Sequence, residues 1–344
     1  MKQPWIHKAK TDSLFILSPP FIILAIVFFC QGWLQTLEKE YSFYTWLFFV
    51  VFIDVAHVYA TLFKTYFVSK TFQEQKKMLI ALPILCFGIG MILFMFGSRV
   101  FWVTLAYIAV FHFIRQQYGF MRLYSRHELK TRFSVVTDNI IIYTATGYPM
   151  LYWFMSSPRN FTWFMPDEFF TYHNNILLLF AGYVYYTILG LYAIKVTYLY
   201  IRTGKFNIPK NAIVVGTGLS WYFGIVYYNN DLIFTMLNIV SHGIPYMALI
   251  YLKEIKQPQV GSGGFYYYLN TYKGILIYIG ILIGLAFFEE YLWEITVWNE
   301  QFTITKAGVF DDWHFILVPL LVVPQFTHYL LDGFIWKTKL KKAS

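Results

Sequence analysis

The chain has 344 residues, 58% of them hydrophobic and 22% aromatic with only 13% charged, and its mean hydropathy is +0.50. Globular domains carry about 25% charged residues, so a soluble protein is excluded and a polytopic membrane protein is indicated. The net charge of +9 does not point to nucleic acid, because Lys and Arg alternate with apolar runs instead of forming a patch.

Ten apolar segments reach the roughly 20 residues needed to cross about 30 Å of hydrocarbon, at approximately 14–35, 43–68, 79–97, 100–121, 136–156, 175–201, 211–229, 231–252, 274–292 and 313–336. The first contains "SPP" and has no small-residue cleavage site after "FFCQGWL", so it is expected to remain in the mature protein. The second carries Asp54 and His57 in "FIDVAHVYATLF". In the fourth, "VFHFIRQQYG" places His112, Arg115, Gln116 and Gln117 close together inside an apolar run. Asp138 opens the fifth. The following segment, 157–174, is aromatic-rich and suits the outer interface. Span eight holds Asn238, Ser241 and His242, and "QPQVGSGGF" (257–265) reads as a flexible connector. A crowded outer loop is expected for Glu289, Glu290, Glu294, Glu300, Asp311 and Asp312, and the tenth span carries His328 and Asp332.

When the loops are numbered alternately, one side receives 20 of the 27 basic residues, including Lys2, Lys8, Lys10, Lys337, Lys339, Lys341 and Lys342. The other side has Lys39, Arg99, Arg159 and Lys306. Basic residues concentrate in short cytoplasmic loops, so both termini are expected in the cytoplasm. No repeat or low-complexity tract divides the chain, and the expected fold is a single all-α transmembrane domain over 1–344, multi-pass in a bacterial inner membrane. Cys30 and Cys86 fall inside apolar runs and suggest neither a disulfide nor a thiolate metal site.

Of the eight histidines, His7, His127, His173 and His314 lie in loops or at helix ends. The other four are inside even-numbered spans that all run from outside to inside. His57 is seven residues from Lys64, His112 ten from Arg122, His242 eleven from Lys253 and His328 nine from Lys337. At about 1.5 Å per residue the four imidazoles share one layer, roughly 10–17 Å from the cytoplasmic interface. Asp54 and Asp332 sit three residues before His57 and four after His328, on the same helical faces, where a carboxylate can fix an imidazole tautomer or ligate directly. Asp138 is a third acid reachable from the cytoplasmic side, and Asn238 lies one turn above His242. Arg115 has two readings: snorkelling or pairing with Asp138, or binding a head group or orienting substrate. Gln116 and Gln117 suit helix-helix hydrogen bonding, with Gln116 also within reach of the site. Tyr59, Tyr118, Tyr246 and Tyr329 read as packing.

Ionisable residues within spans are functional-site hypotheses, and four His with two acids form a constellation. Imidazole suits iron, zinc, copper and nickel, and the lack of thiolates argues against iron-sulfur clusters. An iron centre would activate dioxygen, and a zinc centre with an open position would activate water; a bis-His haem leaves two histidines unexplained. "FHFIRQQYG" and "SHGIPY" resemble the HF and HG signatures of Brp/Blh-type proteins, microbial membrane oxygenases that cleave beta-carotene. That resemblance implies an intramembrane iron site, with His112 and His242 in matching strings and His57 and His328 matching in type and depth alone. It covers about a tenth of the chain and lacks the family's PHG-type string and its paired His within one helix.

No HxxxH occurs, which excludes the di-iron pattern of membrane desaturases. The expectation is therefore a metal-dependent oxygenase, with iron favoured over zinc, acting on a lipid-soluble substrate such as a carotenoid, isoprenoid or fatty-acyl lipid. The alternatives are a zinc-dependent lipid hydrolase, similar to alkaline ceramidases, and a proton- or ion-coupled transporter. Membrane lipids are the expected surroundings, and no protein partner is evident.

Overall fold

In hydrocarbon every backbone N–H and C=O must be paired inside the protein, and a helix does this within one segment. The computed structural model describes residues 3–39, 43–128, 130–257, 264–298, 300 and 308–335, and among these there is no strand. The helices are α1 (Ala9–Leu17), α2 (Pro19–Phe29), α3 (Gln31–Lys39), α4 (Phe43–Phe63), α5 (Ser69–Met95), α6 (Ser98–Tyr124), α7 (Arg132–Ser156), α8 (Asn175–Thr203), α9 (Ile208–Trp221), α10 (Asp231–Ile255), α11 (Gly264–Leu269), α12 (Tyr272–Trp298) and α13 (His314–Ile335). Six of them, α4, α5, α8, α10, α12 and α13, are long and apolar enough to cross a membrane, and α1 with α2 makes a seventh if the pair is one broken span. These long apolar helices mark a multi-pass membrane protein.

Three expectations need correction. The first span is not one helix over 14–35: α1 and α2 meet at 53°, because Pro19 and Pro20 lack the N–H groups that would continue α1. Ser18 Oγ takes up the Leu14 carbonyl at 2.7 Å. The chain then leaves helical geometry at Cys30 before α3 begins. Helix α5 starts at Ser69, well before the expected 79, and kinks at Gln75. Lastly, Glu289, Glu290 and Glu294 are not in a loop: α12 runs on through a π-helical turn, Glu294–Trp298, and all three are buried. Most of the connector 257–265, and Lys306, Lys337, Lys339, Lys341 and Lys342, lie outside the described residues.

Helix α10 packs against α2, α4, α6 and α9, while α13 packs against α5 and α6. Helices α4, α10, α6 and α13 each touch the next and close a ring, with α12 laid against the outside of α4. The ends are tied down by polar contacts. Buried Asp12 accepts the Ile6 and His7 amides at 2.5 and 3.1 Å and the Tyr124 hydroxyl at 3.2 Å, fastening α1 to α6. In the 157–174 loop, the Glu168 carboxylate accepts the amides of Trp163, Phe164 and Met165.

Candidate metal centre

Local sequence explains how the four histidines meet. A π-helical stretch, Leu47–Val55, runs directly into Ala56–Ala60 and so delivers Asp54 and His57 at a change of helical winding; such wide turns recur at functional sites. Gly243 lets α10 approach this stretch, since a Cβ there would stand 2.9 Å from both the carbonyl oxygen and a methyl of Ile53. Its neighbour His242 is thereby brought against His57. Two residues on, Pro245 offers no N–H to the Ser241 carbonyl. Gln117 Nε2 reaches that carbonyl at 3.4 Å, and Gln116 Nε2 donates to the His242 carbonyl at 2.9 Å. The two carboxamides thus fasten α6 to the part of α10 that carries a site histidine.

His57, His112, His242 and His328 are each 1–2% exposed, and one ring nitrogen from each lies within 4.8 Å of the other three. Nε2 of His242 is 3.1 Å from Nε2 of His57, and Nε2 of His328 is 3.2 Å from Nε2 of His112. Metal–nitrogen bonds of about 2.0–2.1 Å would set neighbouring ligand nitrogens roughly 3–3.5 Å apart in a tetrahedral arrangement. The buried cluster can bind a metal ion. Aromatic faces hold the rings: Phe113 stacks on His242 at 3.6 Å between centroids, and Tyr329 on His112 at 4.7 Å.

Three of the four outward nitrogens face oxygen. His57 Nδ1 lies 3.6 Å from Asp54 Oδ1, His112 Nδ1 lies 3.8 Å from Asp332 Oδ2, and His328 Nδ1 is 2.7 Å from Thr61 Oγ1. With His328 Nδ1 turned to Thr61, Asp332 faces His112 across the ring of helices. Its other oxygen accepts the Tyr246 hydroxyl at 2.8 Å. Nδ1 of His57, His112 and His242 is in each case buried without a hydrogen-bond partner among the described residues.

The remaining sequence candidates lie elsewhere. The Asp138 carboxylate is held by Lys195 at 3.1 Å and Lys210 at 3.4 Å, with Glu128 completing the network at 2.8 Å from Lys210. Arg115 does not pair with it: its side chain is exposed, and the guanidinium donates to Tyr143 Oη at 2.6 Å and covers the Tyr118 ring. Asn238 donates to the Phe234 carbonyl at 3.0 Å and, with Gln117, Thr217, Ser220 and Ser241, supplies the polar part of the lining of a small, mainly apolar cavity. Sequence reasoning passed over Thr61 and treated Tyr246, which is bonded to Thr61 at 3.0 Å, as packing. It also passed over the role of Tyr59, whose hydroxyl donates to Glu289 Oε2 at 2.5 Å beside the centre.

Compared with protein-family models, curated proteins and solved structures, the chain matches none.

Proposed function

We propose that the protein is a ten-span membrane enzyme with both termini in the cytoplasm, holding iron in the cytoplasmic half of the bilayer and oxidising a lipid-soluble substrate with dioxygen. The observation that carries this reading is the convergence of one ring nitrogen from each of the four histidines, with Nε2 facing Nε2 in the pairs His57–His242 and His112–His328 and three of the four Nδ1 atoms turned toward oxygen. An imidazole that donates through one nitrogen offers its other as a lone pair. Where the Nδ1 nitrogens carry the protons, the facing Nε2 lone pairs, 3.1–3.2 Å apart, repel unless a cation lies between them. The donor set fits iron or zinc, with neutral nitrogen ligands, no thiolate and carboxylates standing behind.

Iron bound there would supply the activation of dioxygen. The chain's own residues do the rest. Asp54 and Asp332 attract the Nδ1 protons of His57 and His112, Thr61 accepts that of His328, and Phe113 and Tyr329 keep two rings in plane and shut out water. A site so deep favours a substrate already dissolved in hydrocarbon: a carotenoid, an isoprenoid or a fatty-acyl lipid. The resemblance of "FHFIRQQYG" and "SHGIPY" to the carotenoid-cleaving oxygenases points the same way. Ten spans are supported by α6, by α7 and by α9 together with the π-helical turn Tyr222–Tyr227 that continues it, whose polar residues turn largely inward and lower their hydropathy.

Metal analysis of the purified protein tests the reading. Iron at about one per chain is expected. Zinc would turn the assignment to a lipid hydrolase, and a folded protein that binds neither would favour a transporter. Each of H57A, H112A, H242A and H328A should abolish metal retention and activity, whereas H7A and H173A should leave both intact.

A further inference from the structure

We propose that Thr61 and Tyr246 are positioning residues for the metal centre, forming with Asp332 a one-way chain of hydrogen bonds that starts on the outer nitrogen of His328 and fixes its metal-binding tautomer. The inference rests on the metal-centre reading and goes beyond it in assigning two hydroxyls that touch no metal. Its direction follows from counting protons. A carboxylate only accepts, so the Tyr246 hydroxyl spends its one proton on Asp332 at 2.8 Å. Tyr246 oxygen must then accept from Thr61 at 3.0 Å, which uses the only proton on Thr61. Thr61 in turn accepts from His328 Nδ1 at 2.7 Å. The proton is thereby held on Nδ1, and Nε2, 3.2 Å from that of His112, is left as a lone pair aimed into the cluster.

The same carboxylate ends the chain and faces His112. Asp332 Oδ2 lies 3.8 Å from His112 Nδ1, too far for a hydrogen bond but close enough to favour a proton on that nitrogen. One acid thus sets two ligands on two helices, directly for His112 and through two hydroxyls for His328. Thr61 is 3% exposed, Tyr246 1% and His328 1%, so bulk water does not compete for the His328–Thr61 and Thr61–Tyr246 bonds.

The test uses full-length protein in detergent and cobalt(II) as the probe, read by chelator competition for affinity and by ligand-field absorption for geometry. T61V is expected to raise the cobalt dissociation constant about 10- to 100-fold and shift the spectrum while one ion per chain is still bound. Y246F should weaken binding in the same sense, and T61V/Y246F should be no weaker than T61V alone, because the two act in series. T61S, which keeps the hydroxyl, should match the wild type. Wild-type affinity and spectrum in both T61V and Y246F would overturn the chain and leave the metal centre standing. If T61V fails to fold, Y246F decides by the same two readouts. Folded wild-type protein that binds no cobalt, iron or zinc would instead bring down the metal-centre reading itself.

Discussion

Gln116 and Gln117 illustrate how a single polar side chain is tolerated at depth: each is aimed at a backbone carbonyl on α10, beside a proline that disturbs the local hydrogen-bond ladder. Interhelical bonds of this kind are worth about 0.6–1.7 kcal/mol in membranes. Q116L should therefore lower the thermal midpoint modestly without removing metal. D54N and D332N should each retain metal with affinity reduced about 10- to 100-fold, measured by chelator competition; complete loss from either folded variant would make that acid a ligand. Residue type and depth were enough to single out the four histidines, because an imidazole in an apolar span is conspicuous. Thr61 and Tyr246 were not conspicuous. Their meaning lies in contacts with His328, 267 residues from Thr61, and with Asp332, 86 residues from Tyr246, which no local pattern records. Asp138 misled for the opposite reason: an acid in a span looks functional until Lys195 and Lys210 are found beside it.

Among the elements, α10 is the one on which the site depends most, and Gly243 is its narrowest point. A methyl group at 243 would meet the Ile53 carbonyl at 2.9 Å, so G243A must push α10 away from the π-helical stretch of α4. Overpacking of this kind typically costs 1–3 kcal/mol, and the displaced His242 should loosen metal binding as well. Thermal denaturation and metal content measured on one preparation check both effects. Hydropathy located the helices because a lipid-facing stretch is apolar on every side, but it does not see where a helix bends or widens. The break at Ser18 follows from two adjacent prolines that an apolar count treats as neutral. The π-helical stretch Leu47–Val55 leaves no mark in composition, since its residues are ordinary apolar ones. Burial of Glu289 and Glu290 was equally hidden, because their packing against α4 arises from a helix distant in sequence.

For the molecule as a whole, the ten-span arrangement predicts that a cysteine at Tyr172 is labelled only from outside and one at Lys205 only from the cytoplasm, in a background with Cys30 replaced. Labelling of both from one face would refute the arrangement. Metal should also stabilise the entire bundle, because an ion that binds only the folded state adds about 2.7 kcal/mol at a hundredfold excess over its dissociation constant. Stripping with a chelator is expected to lower the unfolding temperature of the wild type and to leave H242A unchanged. The pairing of His328 with His112, 216 residues earlier in the chain, carries a consequence for biosynthesis. Three of the four imidazoles are synthesised on α4, α6 and α10, and the fourth follows only with α13. A nascent chain halted before residue 314 would hold three of the four clustered histidines and lack both Asp332 and the proton acceptor it provides for Tyr246. On the proposed metal-centre reading, tight capture of an ion would be deferred until translation has passed α13, and metal loading would mark chains whose bundle has been completed.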